Sequence, residues 1–201
     1  MAKTLESWRL FWVLALATTV AIGLGLPLTD FHSKQGAEFM VLHAVLCALP
    51  CLLVAFTASS LATLWPSPRT RWLLSNRRYF GLAFAFGMAW HFMFVSYFMI
   101  SFGKRLPPRD LTLDLIGIVF LVAMTLTSFR RIARRLSLRN WRRLHKTGIY
   151  TLWFLPTFFY FDDFVRDQDF FDAAVISVLV AAVLLRGIAW GRRPARLRTA
   201  S

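Results

Sequence analysis

The chain has 201 residues, 57% of them hydrophobic and 17% charged, and a mean hydropathy of +0.54. A water-soluble domain of this size needs far more polar surface, which excludes an ordinary cytosolic enzyme, a disordered chain and a secreted disulfide scaffold. The formal net charge of +14 sits in short stretches between long apolar runs, so it is read as orienting those runs in a lipid bilayer, with no nucleic-acid partner.

Six runs approach the roughly 20 apolar residues that cross about 30 Å of hydrocarbon. They are 10–28, 39–64, 79–102, 111–129, 149–161 with a ragged start reaching back to 145, and 171–190. Lipid cannot satisfy a free backbone amide, so the expected fold is all-α: a polytopic bundle of six transmembrane helices forming a single domain over 1–201. The first run follows a short charged leader, as a signal peptide would. Its length and the lack of a soluble domain behind it argue for a retained span. Cys47 and Cys51 lie four residues apart on one face of the second run and are read as small packing residues, with no histidine, aspartate or further cysteine at ligand spacing. Pro50 and Pro156 are expected to kink their helices.

Bases fix the direction. Lys3 and Arg9 precede the first run, and Arg69, Arg71, Arg77 and Arg78 lie between the second and third. Arg130, Arg131, Arg134, Arg135, Arg139, Arg142, Arg143 and Lys146 follow the fourth, and Arg192, Arg193, Arg196 and Arg198 follow the sixth. All of these belong to one side, which makes both termini cytoplasmic. The segment FRRIARRLSLRNWRRLH, 129–145, is expected to lie as an amphipathic stretch on an anionic leaflet. The outer connections carry Asp30, Glu38, Asp110, Asp114, Asp162, Asp163, Asp167, Asp169 and Asp172. This acidity is the counterpart of the inner bases, and around Asp162–Asp172 it also suits docking of a basic partner or a cation.

Ionisable groups at membrane depth are functional candidates by default. His91 is near the middle of the third run, His43 in the outer part of the second and His145 at the inner end of the fifth; His32 falls in an outer loop. Gly87, one turn before His91, and Phe84, Phe94 and Phe98 share its surroundings. An imidazole beside a glycine notch and apolar rings suits a porphyrin, and it equally suits an interhelical hydrogen bond with Ala83 and Gly87 forming a close helix contact.

The segment NRRYFGLAFAFGMAWHFMFVSYF, 76–98, resembles the third helix of the ferric reductase-like transmembrane domain family. SLRNWRRLHKTGIYTLW, 137–153, resembles the start of that family's fifth helix, and LTSF, 126–129, fits what precedes it. The likeness runs from about residue 40 onward. It points most nearly to the b-haem membrane subunits that pass electrons across a bacterial inner membrane to a periplasmic methionine-sulfoxide reductase. It implies haem b, with His91 and His145 as iron ligands, Arg78 or Arg142 near the propionates, and electrons from a cytoplasmic flavoprotein or a quinol to a periplasmic redox acceptor. Flavin or quinone would come with a partner, since no nucleotide-binding segment is present.

The chain departs from the family where a second fifth-helix histidine is usual, because 154–161 reads FLPTFFYF. Counting from Arg78 and Arg143 puts His91 roughly 20 Å and His145 roughly 3 Å from the inner surface, a gap tilt does not close. His43 is the alternative partner, roughly 8 Å from the outer boundary counted from Glu38, against roughly 20 Å for His91 counted from Lys104. A five-coordinate haem, a methionine ligand and no haem stay open. The second reading is a haem-deficient structural or assembly subunit of a larger membrane complex, with Trp90, Trp153, Phe158 and Phe159 turned to pigments, lipids or partner helices. A transporter is disfavoured by the lack of an inverted repeat or a midplane carboxylate.

Overall fold

Side-chain caps decide where four of the helices begin. In the computed structural model, which describes residues 7–103 and 107–192, the elements are α1 (Trp8–Gly23), α2 (Lys34–Leu64), α3 (Pro68–Phe102), α4 (Pro108–Thr127), a single turn α5 (Arg130–Ala133), α6 (Leu138–Asp167) and α7 (Phe170–Gly191). Lys3, Lys104, Arg193, Arg196 and Arg198 lie outside the described residues. The described residues contain no strand, so the chain is all-α. Five helices, α1 with the turn after it, α2, α3, α4 and α7, are long and apolar enough to cross a membrane, consistent with a multi-pass membrane protein.

Most helices outrun their apolar cores. Ser67 caps α3 in a reciprocal box with Thr70, and Pro68 occupies the first turn, so the helix starts well before the apolar run at 79 and takes in Arg69 to Arg78. Ser137 caps α6 through the Asn140 amide. Only Arg130–Ala133 of the expected surface segment is therefore separate; from Leu138 onward it is the basic start of α6. At the other end α6 absorbs Asp162, Asp163 and Asp167 before Gln168 turns left-handed, φ 52°. Gly103, φ 62°, ends α3 in the same way, a conformation glycine adopts without strain. Pro50 and Pro156 sit inside continuous helices.

Interhelical contacts give a consistent register. Ser7 meets Asn76, Thr18 meets Gly87 and Thr19 meets Trp90, so α1 and α3 run parallel. Ala48 lies on Gly87 and Val41 on His91, so α2 is antiparallel to α3. Thr127 faces His145, Met124 faces Gly148, Leu155 faces Gly117 and Asp162 faces Arg109, which fixes α4 and α6 antiparallel along most of α4's length. The core is continuous across α2, α3, α4, α6 and α7 through Leu49, Leu52, Phe84, Leu121, Leu152 and Leu179. A smaller cluster of Ile22, Met40, Ala44 and Phe94 closes the end near the α1–α2 connection. That connection carries Asp30, and with Asp110 and Asp162–Asp172 it makes one end of the bundle acidic; Arg77, Arg78, Arg130 and Arg142 mark the basic end.

Candidate functional site

The histidines of the apolar helices are the site the sequence singles out, and each is tied to a neighbouring helix. His91 Nδ1 donates to the Val41 carbonyl of α2 at 3.0 Å. This fixes the tautomer of the neutral ring with its proton on Nδ1. The space at Gly87, expected to admit a macrocycle, is taken by helix packing: a Cβ there would meet Ala48 Cβ at 2.7 Å and Thr18 Cγ2 at 3.2 Å. Gly87 and the buried Ala83 thus let α3 approach its neighbours closely.

His43 Nε2 donates to the Ala21 carbonyl at 3.0 Å, one of the carbonyls left without a helical donor where α1 ends. Gly25 makes room for the ring, since a Cβ there would fall 2.5 Å from His43 Cδ2. Phe39 stacks on the imidazole with ring centroids 5.4 Å apart. Cys47 Sγ lies 3.6 Å from the same Nε2, so a histidine does stand one turn from the cysteines, contrary to the sequence reading. Cys51 is buried and both thiols are free. Among the described residues no three His, Cys, Asp or Glu side chains converge as a metal site.

His145 closes the basic end. Thr127 spends its hydroxyl hydrogen on the Ala123 carbonyl at 2.6 Å, so its oxygen accepts from His145 Nε2 at 3.0 Å. Trp141 stacks on the imidazole at 4.2 Å and donates Nε1–H to the Thr127 carbonyl. Arg142 is exposed on the first turns of α6. The Arg78 guanidinium lies over the Trp8 and Tyr79 rings at 5.9 and 5.6 Å, with Nε buried and without a hydrogen-bond partner.

The levels of the three rings follow from these contacts. Trp8, Tyr79 and Phe129 cluster at the basic end, and His145 bonds Thr127 just beside them. His91 stands twelve residues along α3 from Tyr79, roughly 18 Å. His91 and His145 are therefore well separated in depth, as the residue count requires. For His43 the count is corrected. The register that sets Val41 on His91 brings His43 to the level of His91, because Glu38 belongs to the body of α2 and marks no boundary. The two rings are turned to different partners: His43 bonds the Ala21 carbonyl of α1 and His91 the Val41 carbonyl of α2, and Met40, Ala44 and Phe94 cluster nearby with Cys47 and Trp90 packed against them. A haem clamped between two of these histidines does not fit this arrangement.

Three arginines escaped the sequence reading. Arg186, within α7, donates from Nη1 to the Phe56 carbonyl and from Nε to Tyr150 Oη at 3.2 Å, with its guanidinium 4.4 and 4.8 Å from the Phe56 and Tyr150 ring centres. A lone arginine four residues before the end of an apolar run was the available signal. Arg109 bonds Asp162 at 2.9 Å and Asp110 at 2.8 Å, and Arg166 pairs with Asp162 as well. The hydrogen bonds from Arg109 hold the Asp162 carboxyl below the usual carboxylate range. Burial, reinforced by Asp172, pushes Asp163 up. Trp90 and Trp153 turn inward, donating to Thr19 Oγ1 and to the Leu179 carbonyl, which leaves Phe158 and Phe159 as the pair near the acidic end.

Fold and site together define an all-α helical bundle with helices long and apolar enough to cross a membrane, in which the polar side chains described above serve mainly to join helices. No family model, curated protein or solved structure matches the chain.

Proposed function

We propose that this chain is a structural or assembly subunit of a larger membrane complex, built on a ferric reductase-like frame of six spans in a bacterial inner membrane with both termini cytoplasmic. The observation that carries the reading is that His43, His91 and His145 each bond a neighbouring helix. The sixth span is α6, which follows the apolar α4 in constant antiparallel register from Thr127–His145 to Arg109–Asp162. The bases at one end favour the cytoplasmic side there. The acidic end, with Asp163, Asp167, Asp169 and Asp172, then faces outward and suits a basic partner.

The test is purification of the tagged full chain from native membranes in mild detergent. The reading expects a complex heavier than the chain alone, with a stoichiometric partner; a chain that elutes alone and carries haem refutes it. Single cysteines at Arg139 and Asp169, in a background lacking Cys47 and Cys51, are expected to label from opposite sides, and labelling from one side rejects the sixth span.

A second reading, a b-haem electron-transfer subunit fed by a cytoplasmic flavoprotein or quinol and serving a periplasmic acceptor, is favoured by one detail. The Nδ1–H bond of His91 to Val41 leaves Nε2 as the nitrogen able to bind a metal. It needs a haem held by His91 alone and repacking around Ala48 and Gly87.

A further inference from the structure

A groove of about 370 Å³ opens between α1, α3 and α4, on the flank where α4 packs mainly against α6 and leaves α3 uncovered. Phe11 and Leu82 wall it, Ala85 and Ala89 form a shallow floor, and Trp8 and Phe129, stacked at 5.9 Å, stand at its basic mouth. Its surface is almost wholly carbon, so hydrocarbon is the occupant it accepts at membrane depth.

The mouth has the opposite character. The Arg78 guanidinium lies over the Trp8 ring that lines the groove, and its buried Nε has no partner. Arg77, Arg130 and Arg131 are exposed at the same end of the bundle. The nine acidic residues among the described ones all lie at the other end of the bundle, and Glu6 lies outside the described residues. An apolar channel ending in guanidinium groups at an interface matches a molecule with a long hydrocarbon tail and an anionic head.

We propose that this groove is a binding site for an anionic phospholipid, with one acyl chain along Ala85 and Ala89 and the phosphate at Arg78. The site rests on the membrane location of the helices and is independent of the ferric reductase-like reading. Tryptophan at the mouth fixes the depth of the head, and Ala89 sets the width of the channel.

Native mass spectrometry of the full chain in detergent tests it, with phosphatidylglycerol, phosphatidylcholine and inorganic phosphate as probes. The wild type is expected to retain one phosphatidylglycerol under conditions that strip phosphatidylcholine, and inorganic phosphate is expected neither to bind nor to displace it. Arg78→Gln lowers retention by about tenfold, the loss of one charge-assisted hydrogen bond. Ala89→Leu, which fills the exposed floor, lowers it similarly, and Arg139→Gln, on the basic end away from the groove, leaves it unchanged. Equal retention of the two lipids overturns the proposal, as does an equal loss in Arg139→Gln, which would signal a diffuse basic surface. Competition by inorganic phosphate reduces the site to one for a free anion. A change of oligomeric mass in Ala89→Leu assigns the groove to a partner helix instead.

Discussion

Replacing Gly87 by alanine tests the closest helix contact near the candidate site. The new Cβ would stand 2.7 Å from Ala48 Cβ, whereas ordinary contact begins at 3.4 Å. The same Cβ would also stand 3.2 Å from Thr18 Cγ2 and 3.4 Å from Ala48 Cα, so the helices must separate by several tenths of an ångström to admit it. Overpacking of this kind costs about 1–3 kcal/mol. The better helix propensity of alanine returns about 1 kcal/mol. Gly81 isolates that second effect, because it lies in the same helix and a Cβ there meets nothing within 4 Å. Gly81→Ala is thus expected to be neutral or stabilising, and Gly87→Ala to fall about 1–3 kcal/mol below it, a gap of about 2–12 °C in melting temperature for a chain of this size. Thermal unfolding of both variants in detergent measures the gap, and Ala48→Gly added to Gly87→Ala should recover part of it through coupling of the pair. Equal melting temperatures for the two single variants would refute the close approach of α2 and α3 at this point.

His43→Ala, which strands the Ala21 carbonyl, is expected to cost about 1–3 kcal/mol in the same assay, with His43→Gln closer to wild type; no loss means the bridge contributes nothing. Arg186→Gln is expected to cost about 1–3 kcal/mol and Tyr150→Phe less than about 1 kcal/mol, a ranking that reverses if Arg186 simply reaches to the interface. Asp162 and Asp163 carry opposite pH signs. Asp162 has its folded pKa depressed, first by Arg109, so its contribution is present above the unfolded value of about 4 and disappears as pH falls through the folded one. Asp162→Asn should therefore flatten the loss of stability on acidification below about pH 4. Asp163 is raised by burial, so Asp163→Asn should stabilise at pH 7 and make no difference once the carboxyl is protonated; an equal gain at all pH values would contradict that origin.

The all-helical class was legible because apolar runs of membrane length leave the backbone no other choice. Helix ends were less so: hydrophobicity locates what lipid covers, while α3 and α6 continue into basic and acidic segments whose ends are set by Ser67, Ser137, Gly103 and Gln168. His91 and Gly87 stand out in the sequence and suit either a macrocycle or a helix contact, but spacing along one helix cannot say which helix fills a notch. Ala48 and Val41 do that, and they carry no mark in the sequence. The count from flanking charges agrees with the helix register at His145, where Thr127 ends α4, and departs from it at His43, where Glu38 lies inside a helix. Arg186 was legible as a charge in an apolar run; its bond to the Phe56 carbonyl, 130 residues away, was not.

The most direct test of the central claim is a pyridine haemochromogen assay, with a dithionite-reduced minus oxidised spectrum, on the detergent-purified full chain and on His91→Ala. A folded wild-type chain with no stoichiometric haem is expected, with a spectrum that His91→Ala leaves unchanged. A b-type spectrum near one haem per chain, lost in His91→Ala, would contradict it and establish the electron-transfer reading.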